Sequence, residues 1–165
     1  MLGLNFKGSW RQYQKQVLDR FQDYQADGHV HLVAAPGSGK TTIGIELIVR
    51  FGNPALILVP TVTIREQWVE RIQTAFLENE QKISALVSQN LKEMRPLTIV
   101  TYQAFHSAMN QLQSQEDGEA EDFVGFDLLS NLRAQKVATL CLDECHHLRN
   151  EWWKSLEAFR KQYEQ

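Results

Sequence analysis

The sequence predicts an α/β domain, in which a mostly parallel sheet carries helices on both of its faces. Stretches typical of strands alternate with stretches typical of helices along the 165 residues, and this alternation favours parallel strands joined by helical crossovers. The apolar run ALILVP at 55–60 has the composition of a strand that is buried on both faces. A glycine-rich loop, PGSGK at 36–40, lies where a strand would pass into a helix. The length predicts a single domain.

The elements of the first half follow from the spacing of apolar residues. Apolar residues recur every three or four positions over 10–26, which predicts an amphipathic helix that ends at Asp27 and Gly28. The clearest helical stripe includes Ile64, Trp68 and Ile72. Short apolar runs between the helical stretches predict strands. The predicted elements of this half are a helix at 10–26, a strand at 29–35, a helix at 41–51, a strand at 55–60, a helix at 62–77 and a strand at 82–88.

The second half continues the alternation and contains one strongly polar segment. Residues 113–122 are polar and acidic, which predicts an acidic loop, either an exposed insertion or a disordered segment. No internal repeat is visible in the sequence. The predicted elements are a strand at 97–101, a helical period from Tyr102 to Leu112, a helix at 123–134, a strand at 136–142 and a helix from Trp152 to Tyr163.

Composition and charge limit the class of protein. A net charge of −3 lacks the basic footprint that nucleic-acid-binding domains usually show, although a local basic patch on an acidic domain is compatible with it. No apolar run approaches the roughly 18 residues that span a membrane, and the N-terminus lacks the pattern of a signal peptide. Two cysteines do not make a disulfide framework. These features predict a reduced, cytoplasmic protein with no membrane partner.

The loop AAPGSGKTT has the residue types of a phosphate-binding loop. Gly37 and Gly39 would let the backbone approach phosphate oxygens, and the N–H groups that open the next helix would form an anion cradle. Lys40 would reach the β- and γ-phosphates of ATP, and the Thr41 hydroxyl would bind Mg²⁺. The strict pattern has glycine in place of Ala34, and the alternative is an ordinary glycine-rich turn with a chance lysine. The predicted ATP-binding residues of the loop are Pro36, Gly37, Ser38, Gly39, Lys40, Thr41 and Thr42.

The segment CLDECHH at 141–147 raises the choice between zinc and magnesium. In an extended strand the Cα atoms of Cys141 and Cys145 would lie roughly 13 Å apart, whereas two thiolates on one zinc lie within about 4 Å of each other. Strand geometry therefore works against zinc, although a turned backbone would allow it. Beside a phosphate loop, a strand that ends in Asp143 and Glu144 favours magnesium. Asp143 would hold the hydration shell of the metal and Glu144 would polarise the attacking water; the alternative is an acidic strand end that caps the next helix.

Together these motifs resemble the first RecA-like domain of superfamily 2 helicases and translocases, a P-loop NTPase fold. Their order and spacing fit that family over nearly the whole chain. The resemblance is greatest to the DEAD/DEAH-type repair and restriction helicases, which include the enzymes related to xeroderma pigmentosum group B. The motifs are WRQYQ (10–14), AAPGSGKTT (34–42), LVPT (58–61) with the following VTIREQW (62–68), VTYQAF (100–105) and DECH (143–146).

The resemblance implies a role for each matched residue. Gln14, with Arg11, would read the adenine, and His146 would couple the nucleotide site to the rest of the motor. Structural alternatives remain open, with Gln14 as a solvent-facing helix residue, Thr61 as a helix N-cap, Thr101 as a strand-end residue and His146 as a surface residue. The contacts to the nucleic-acid backbone would come from Pro60, Thr61, Thr101, Tyr102 and Gln103.

The resemblance also implies ATP and Mg²⁺ as cofactors, no zinc, and nucleic acid as a partner, DNA rather than RNA. Motors of this family need a second RecA-like domain. We therefore expect residues 1–165 to be the N-terminal RecA-like ATP-binding domain, truncated at its C-terminus, and to hydrolyse ATP poorly alone. One alternative is a non-catalytic module that binds nucleotide or a protein partner. Another is a P-loop NTPase of a different class, but a GTPase would need an Asn-Lys-x-Asp segment, which the sequence lacks.

Overall fold

A computed structural model describes residues 4–23, 39–77, 83–116, 118–144 and 148–163. None of the helices in these ranges has both the length and the apolar character that crossing a bilayer requires. The helices are α1 (Gln12–Asp19), α2 (Lys40–Phe51), α3 (Val62–Ala75), α4 (Ile83–Leu86), α5 (Tyr102–Met109), α6 (Leu128–Ala134) and α7 (Asn150–Tyr163). The strands are β1 (Ala55–Val59), β2 (Val87–Ser88), β3 (Leu97–Thr101), β4 (Gln113–Glu116), β5 (Glu119–Asp122) and β6 (Thr139–Leu142).

Parallel strands form the main sheet, which has the order β2-β3-β1-β6 within the described residues. Strand β1 lies between β3 and β6, and Ala55 is opposite both Leu97 and Thr139. Every residue of β1 is buried, as expected for a strand with helices over both faces. The predicted strand at 29–35 lies outside the described residues. The parallel pairing confirms the predicted fold class.

The two faces of β1 contribute to different hydrophobic cores. Ile57 belongs to a core that includes Trp68 of α3, whereas Leu58 belongs to a second core with Phe105 of α5 and Phe159 of α7. Successive side chains of a strand point to opposite faces, so the two cores lie on opposite sides of the sheet. On the second side, the rings of Phe105 and Phe159 meet edge to face with centroids 5.4 Å apart. Helices thus cover both faces, as the sequence predicted.

Gln113–Glu116 and Glu119–Asp122 form an antiparallel hairpin where the sequence predicted a loop, and most of these residues are exposed, as predicted. Gly118 turns the chain with φ of +83°, a conformation that glycine adopts readily. Ser114 of β4 is buried, and Arg65 of α3 binds Glu119 of β5. The acidic composition correctly indicated exposure, but it does not reveal the backbone pairing or the ion pair with Arg65.

Several other elements are shorter than predicted, and the segments 82–88 and 123–134 are two of them. Within the segment 82–88, residues Ile83–Leu86 are helical, and only Val87–Ser88 pairs with β3. The helix predicted at 123–134 begins at Leu128, because the carboxylate of Asp127 caps it by accepting a hydrogen bond from the N–H of Ser130.

Candidate functional site

The carboxyl ends of β1, β3 and β6 bring several predicted site residues to one edge of the sheet. Val59, the last residue of β1, is followed by Pro60, and β3 ends in Thr101. Asp143 follows β6 and donates its N–H to the carbonyl of Leu58 over 2.9 Å, which extends the strand pairing. Ligands of parallel α/β sheets bind at this edge, so the predicted nucleotide site is expected here.

Lys40 lies against both acidic residues that were predicted to serve the metal and the water. Its Nζ is 3.0 Å from Oε1 of Glu144 and 4.0 Å from Oδ1 of Asp143. The Asp143 side chain is only 9% exposed, and Glu144 has φ of +54°, a conformation that is uncommon outside glycine and frequent at functional sites. Because Lys40 opens α2, the positive end of that helix adjoins the same place. The structure thus assembles the cation, the helix N-terminus and the two carboxylates.

Gly39 and Gln14 are in direct contact beside the N-terminus of α2. Gly39 caps the helix with φ of +87°, and a Cβ at this position would lie 2.4 Å from Nε2 of Gln14. Gln14 is buried; its Nε2 donates to the carbonyl of Gly39 over 3.1 Å, and its Oε1 accepts from the N–H of Arg11 over 2.7 Å. Gln14 is therefore not the solvent-facing helix residue of the alternative interpretation. Thr42 is also buried, so its contact with a phosphate would come from the backbone N–H.

Asp143 is held by two buried aromatic residues, neither of which the sequence assigned to the nucleotide site. The indole Nε1 of Trp68 donates to Oδ2 of Asp143 over 2.9 Å, and the hydroxyl of Tyr102 donates to the backbone carbonyl of Asp143 over 2.8 Å. Trp68 was predicted only as part of the apolar stripe of its helix. The polar N–H of tryptophan, which needs a partner when buried, was the signal that could have indicated a further role.

The residues around Lys40 fit a magnesium–nucleotide complex. Among the described residues, no group of three or more His, Cys, Asp and Glu side chains could hold a metal ion by itself. Mg²⁺ in nucleotide sites needs no such group, because one or two protein oxygens act together with phosphates and water. Asp143 and Thr41, the second residue of α2, can supply those oxygens.

Part of the predicted site lies outside the described residues, and the roles assigned there stay predictions. Cys141 is described and lies in β6 opposite Ile57, where it packs against the core of Trp68 as a small hydrophobic residue. The zinc alternative for CLDECHH is not decided by this position alone. The predicted site residues outside the described ranges are Pro36, Gly37, Ser38 and His146, and Cys145 and His147 of CLDECHH lie there too.

The predicted nucleic-acid contacts divide into buried and accessible residues. Thr101 and Tyr102 are 0% and 1% exposed, so neither side chain reaches the surface in this structure. Their assignment to the nucleic-acid backbone stays a prediction. Thr101 caps α5 by accepting from the N–H of Ala104, and its hydroxyl donates to the carboxylate of Glu116 in the hairpin. The contacts that bury Thr101 and Tyr102 come from other parts of the chain, so the local sequence does not reveal them.

The accessible candidates are Pro60, Thr61 and Gln103. Thr61 is exposed and also caps α3, since its Oγ1 accepts from the N–H of Ile64 over 3.1 Å. Gln103 is half-buried, and its Nε2 donates to the carbonyl of Gln115 over 3.3 Å. Thr61 therefore has a structural role as an N-cap, and this role is compatible with its predicted contact with the nucleic-acid backbone.

Arg65 of α3 joins the acidic hairpin to the sheet edge. Its side chain is 5% exposed, and its two terminal nitrogens donate to the two carboxylate oxygens of Glu119 over 2.6 and 3.1 Å. Burial alone would lower the pKa of Arg65, but the hydrogen bonds and charges of Glu119 and Glu66 outweigh it and raise the pKa. Two-point arginine–carboxylate contacts are among the stronger ion pairs. The partners are 54 positions apart, which is why the sequence did not predict the pair.

Glu119 and Glu121 are on the same face of β5 but have opposite pKa changes. The hydrogen bond from Arg65 lowers the pKa of Glu119. Burial, and then repulsion by Glu119, raises the pKa of Glu121. Oε2 of Glu121 is buried without a hydrogen-bond partner in the described part of the chain. Ionised Glu119 therefore stabilises the folded state, and ionised Glu121 destabilises it.

Replacing Glu121 with glutamine is expected to raise the free energy of unfolding at pH 7 by about 0.5 kcal/mol, because it removes a charge that burial penalises and that Glu119 repels. The ionised carboxylate causes this penalty, so the gain shrinks as the pH falls through the raised pKa and is absent below the ordinary value of 4.5. Urea unfolding of both proteins at pH 7 and at pH 4 measures the difference.

Glu119→Gln is the matched control on the same strand. The pKa of Glu119 lies below 4.5 in the folded protein, so this substitution is expected to lower stability at pH 7, and the loss shrinks as the pH falls below 4.5. Equal effects of the two substitutions at pH 7 would contradict the opposite roles of the two carboxylates.

A family model matches almost the entire chain. The model is described as the type III restriction enzyme res subunit, ResIII, and it matches residues 7–164. The chain belongs to the ResIII family. This membership confirms the RecA-like fold and the resemblance to superfamily 2 helicases of the restriction-enzyme type.

This ResIII chain is also similar to named helicases and translocases. It is 36% identical over 95 residues to the DNA 3'-5' helicase XPB of Mycobacterium tuberculosis, covering 56% of this chain and 16% of that protein. It is 26% identical over 120 residues to the DNA 3'-5' translocase XPB2 of Sulfurisphaera tokodaii, covering 73% and 22%. It is 24% identical over 140 residues to an African swine fever virus protein whose name includes the words ATP-dependent RNA helicase, covering 84% and 24%. The ResIII chain therefore spans less than a quarter of the length of each of these relatives.

Proposed function

We propose that this ResIII chain is the ATP-binding motor domain of a DNA-dependent ATPase, helicase or translocase, which couples Mg–ATP hydrolysis to movement on nucleic acid. The proposal depends above all on one observation, the contact of Lys40 with Glu144 and Asp143 at 3.0 and 4.0 Å at the carboxyl edge of the sheet. Membership of the ResIII family and the names of its relatives support it.

The ion pair of Lys40 with Glu144 would change when ATP binds. The β- and γ-phosphates would compete with Glu144 for the ammonium group, and Lys40 would move onto the phosphate oxygens. Glu144 would then be able to orient the attacking water and accept its proton. Asp143 and Thr41 would hold Mg²⁺, which would neutralise the charge that develops on the phosphates.

Adenine recognition is assigned to Gln14 and Arg11. Their position beside Gly39, at the N-terminus of α2, supports this assignment. The side-chain amide of Gln14 already bonds to backbone groups through both its oxygen and its nitrogen, so its edge is held in one orientation. Pro36, Gly37 and Ser38 would complete the phosphate cradle, and His146 would couple the site to the rest of the motor.

Nucleic acid is assigned to the edge where β1 and β3 end, with Pro60, Thr61 and Gln103 as its contacts. We favour DNA, because the relatives of 36% and 26% identity are named for DNA, whereas the relative named for RNA is 24% identical. A second RecA-like domain would close the nucleotide site and contribute an arginine, which in such sites is worth about 10³–10⁵ in rate.

Calorimetric titration of this chain with ATP, with and without Mg²⁺, tests the nucleotide site. We expect saturable binding that requires Mg²⁺ and no zinc in the same sample by elemental analysis. Stoichiometric zinc would overturn the magnesium assignment of CLDECHH. Absence of binding under both conditions would contradict the proposal for this chain.

Hydrolysis of ATP by the complete polypeptide that carries this chain tests the motor function. We expect single-stranded DNA to stimulate hydrolysis more than RNA of the same length does. Mg–ATP binding without stimulated hydrolysis would favour the alternative of a non-catalytic module.

A further inference from the structure

We infer that Trp68 and Tyr102 are positioning residues that set the orientation of Asp143 in the nucleotide site. The inference rests on the proposed function, because it concerns the residue assigned to Mg²⁺. Both side chains are buried, with exposures of 2% and 1%, and each donates a hydrogen bond to a different part of Asp143.

The two carboxylate oxygens of Asp143 have different neighbours. Oδ2 accepts the hydrogen bond from the indole of Trp68 at 2.9 Å, whereas Oδ1 is the oxygen that lies 4.0 Å from Nζ of Lys40. The indole N–H can only donate, so it retains Oδ2. Oδ1 is thereby directed to the side of Lys40, where the metal and the phosphates bind in the proposed function. A carboxylate without this hydrogen bond would be able to present either oxygen.

Packing holds the indole of Trp68 in place. A Cβ at Gly44 of α2 would lie 3.1 Å from Cη2 of Trp68, so the ring packs closely on the helix that begins with Lys40. Trp68 itself belongs to α3 and to the buried core on that side of the sheet. In a close-packed interior the ring cannot turn away without opening a cavity. Trp68 therefore spans the space between α2 and Asp143 as a fixed donor.

Tyr102 acts on the backbone of Asp143. The carbonyl that accepts its hydroxyl at 2.8 Å belongs to the peptide between Asp143 and Glu144, and Glu144 adopts φ of +54° directly after it. Holding this peptide fixes the turn that aims the Glu144 side chain. The ring of Tyr102 is in turn stacked on Trp152 of α7, with centroids 6.0 Å apart. Trp68 thus orients the carboxylate of Asp143, and Tyr102 orients the residue after it.

Trp68→Phe removes the N–H and keeps an aromatic ring. We expect it to raise the Mg²⁺ concentration that half-saturates ATP binding by about tenfold, with the affinity for ATP at saturating Mg²⁺ unchanged. The control is Trp153→Phe, which alters a tryptophan on α7 that is 45% exposed. Unchanged Mg²⁺ dependence in Trp68→Phe, or an equal shift in Trp153→Phe, would overturn the role of Trp68.

Tyr102→Phe removes one hydroxyl. We expect kcat of the complete polypeptide to fall by about tenfold, while KM for ATP and the half-saturating Mg²⁺ concentration stay unchanged. Tyr163→Phe is the control, because Tyr163 also donates to a backbone carbonyl, that of Val137 at 2.6 Å, on another part of the chain. A fall in kcat that is no larger than in Tyr163→Phe would overturn the role of Tyr102.

A spectroscopic measurement without nucleotide separates this inference from the proposed function. The indole N–H resonance of Trp68, assigned by its loss in Trp68→Phe, is expected to shift in Asp143→Asn, because the charge-assisted hydrogen bond is lost. If the indole resonance keeps its chemical shift in Asp143→Asn, the contact between Trp68 and Asp143 is overturned. A resonance that shifts in a protein that does not bind Mg–ATP would instead overturn the proposed function, and with it the role of the contact in metal binding.

Discussion

Replacing Lys40 with alanine is expected to abolish measurable nucleotide binding, a loss of about a hundredfold or more in affinity. The substitution removes the ammonium group that would bind the phosphates, and it leaves the carboxylates of Asp143 and Glu144 without this cation. Those carboxylates would then repel the polyphosphate that they face. Calorimetry with Mg–ATP on the purified chain measures the loss.

The matched control for this prediction is Lys154→Ala. Lys154 is an exposed lysine of α7, so its removal changes the net charge by the same amount without touching the site. Thermal unfolding of both variants verifies that they fold. Wild-type affinity in Lys40→Ala would disprove the assignment of the phosphate loop.

Glu144→Gln is expected to lower the rate of ATP hydrolysis by about 10²–10⁴-fold, the usual contribution of a positioned general base. Binding of Mg–ATP is expected to persist, and to tighten slightly, since Lys40 loses a competing carboxylate that lies 3.0 Å away. Single-turnover hydrolysis and equilibrium binding, both measured on the complete polypeptide, separate the two effects.

Glu157→Gln on the exposed face of α7 controls for the loss of one negative charge. If hydrolysis in Glu144→Gln continues at the wild-type rate, Glu144 does not position the water, and another group has that role. If binding is lost together with hydrolysis, Glu144 contributes to the architecture of the loop and not to the chemical step alone.

The parts of the fold that follow from local pattern were predicted from the sequence. Strand β1 is an uninterrupted apolar run and α3 has a clear apolar stripe, and both form where expected. The hairpin of β4 and β5 was missed because its residues are polar and acidic, and because its contact with Arg65 comes from a distant helix. Composition reports how polar a segment is, but it does not report which buried cation the segment meets.

The same limit applies to the site. Lys40, Asp143 and Glu144 were predicted because each lies in a short motif, AAPGSGKTT or DECH, whose neighbouring residues indicate phosphate or metal binding. Trp68 was not assigned to the site, since the partner of its N–H is 75 positions away. Tyr102 was assigned to nucleic-acid contact because VTYQAF resembles a motif of the family, yet its ring packs inward on Trp152. Side-chain direction at a strand end depends on the neighbouring helices, which no local motif describes.

The position of β6 in the sheet determines when the site can form as the protein is made. Thr139 pairs with Ala55, which lies about half the length of the chain earlier. Parallel pairing over such a separation is slow, because the loop loses entropy before any contact is gained. Synthesis releases the N-terminal residues first, so Lys40 leaves the ribosome well before Asp143 and Glu144. A nascent chain that stops short of β6 would therefore lack the acidic partners of Lys40, and it would gain the capacity to bind Mg–ATP only after Asp143 and Glu144 have left the ribosome.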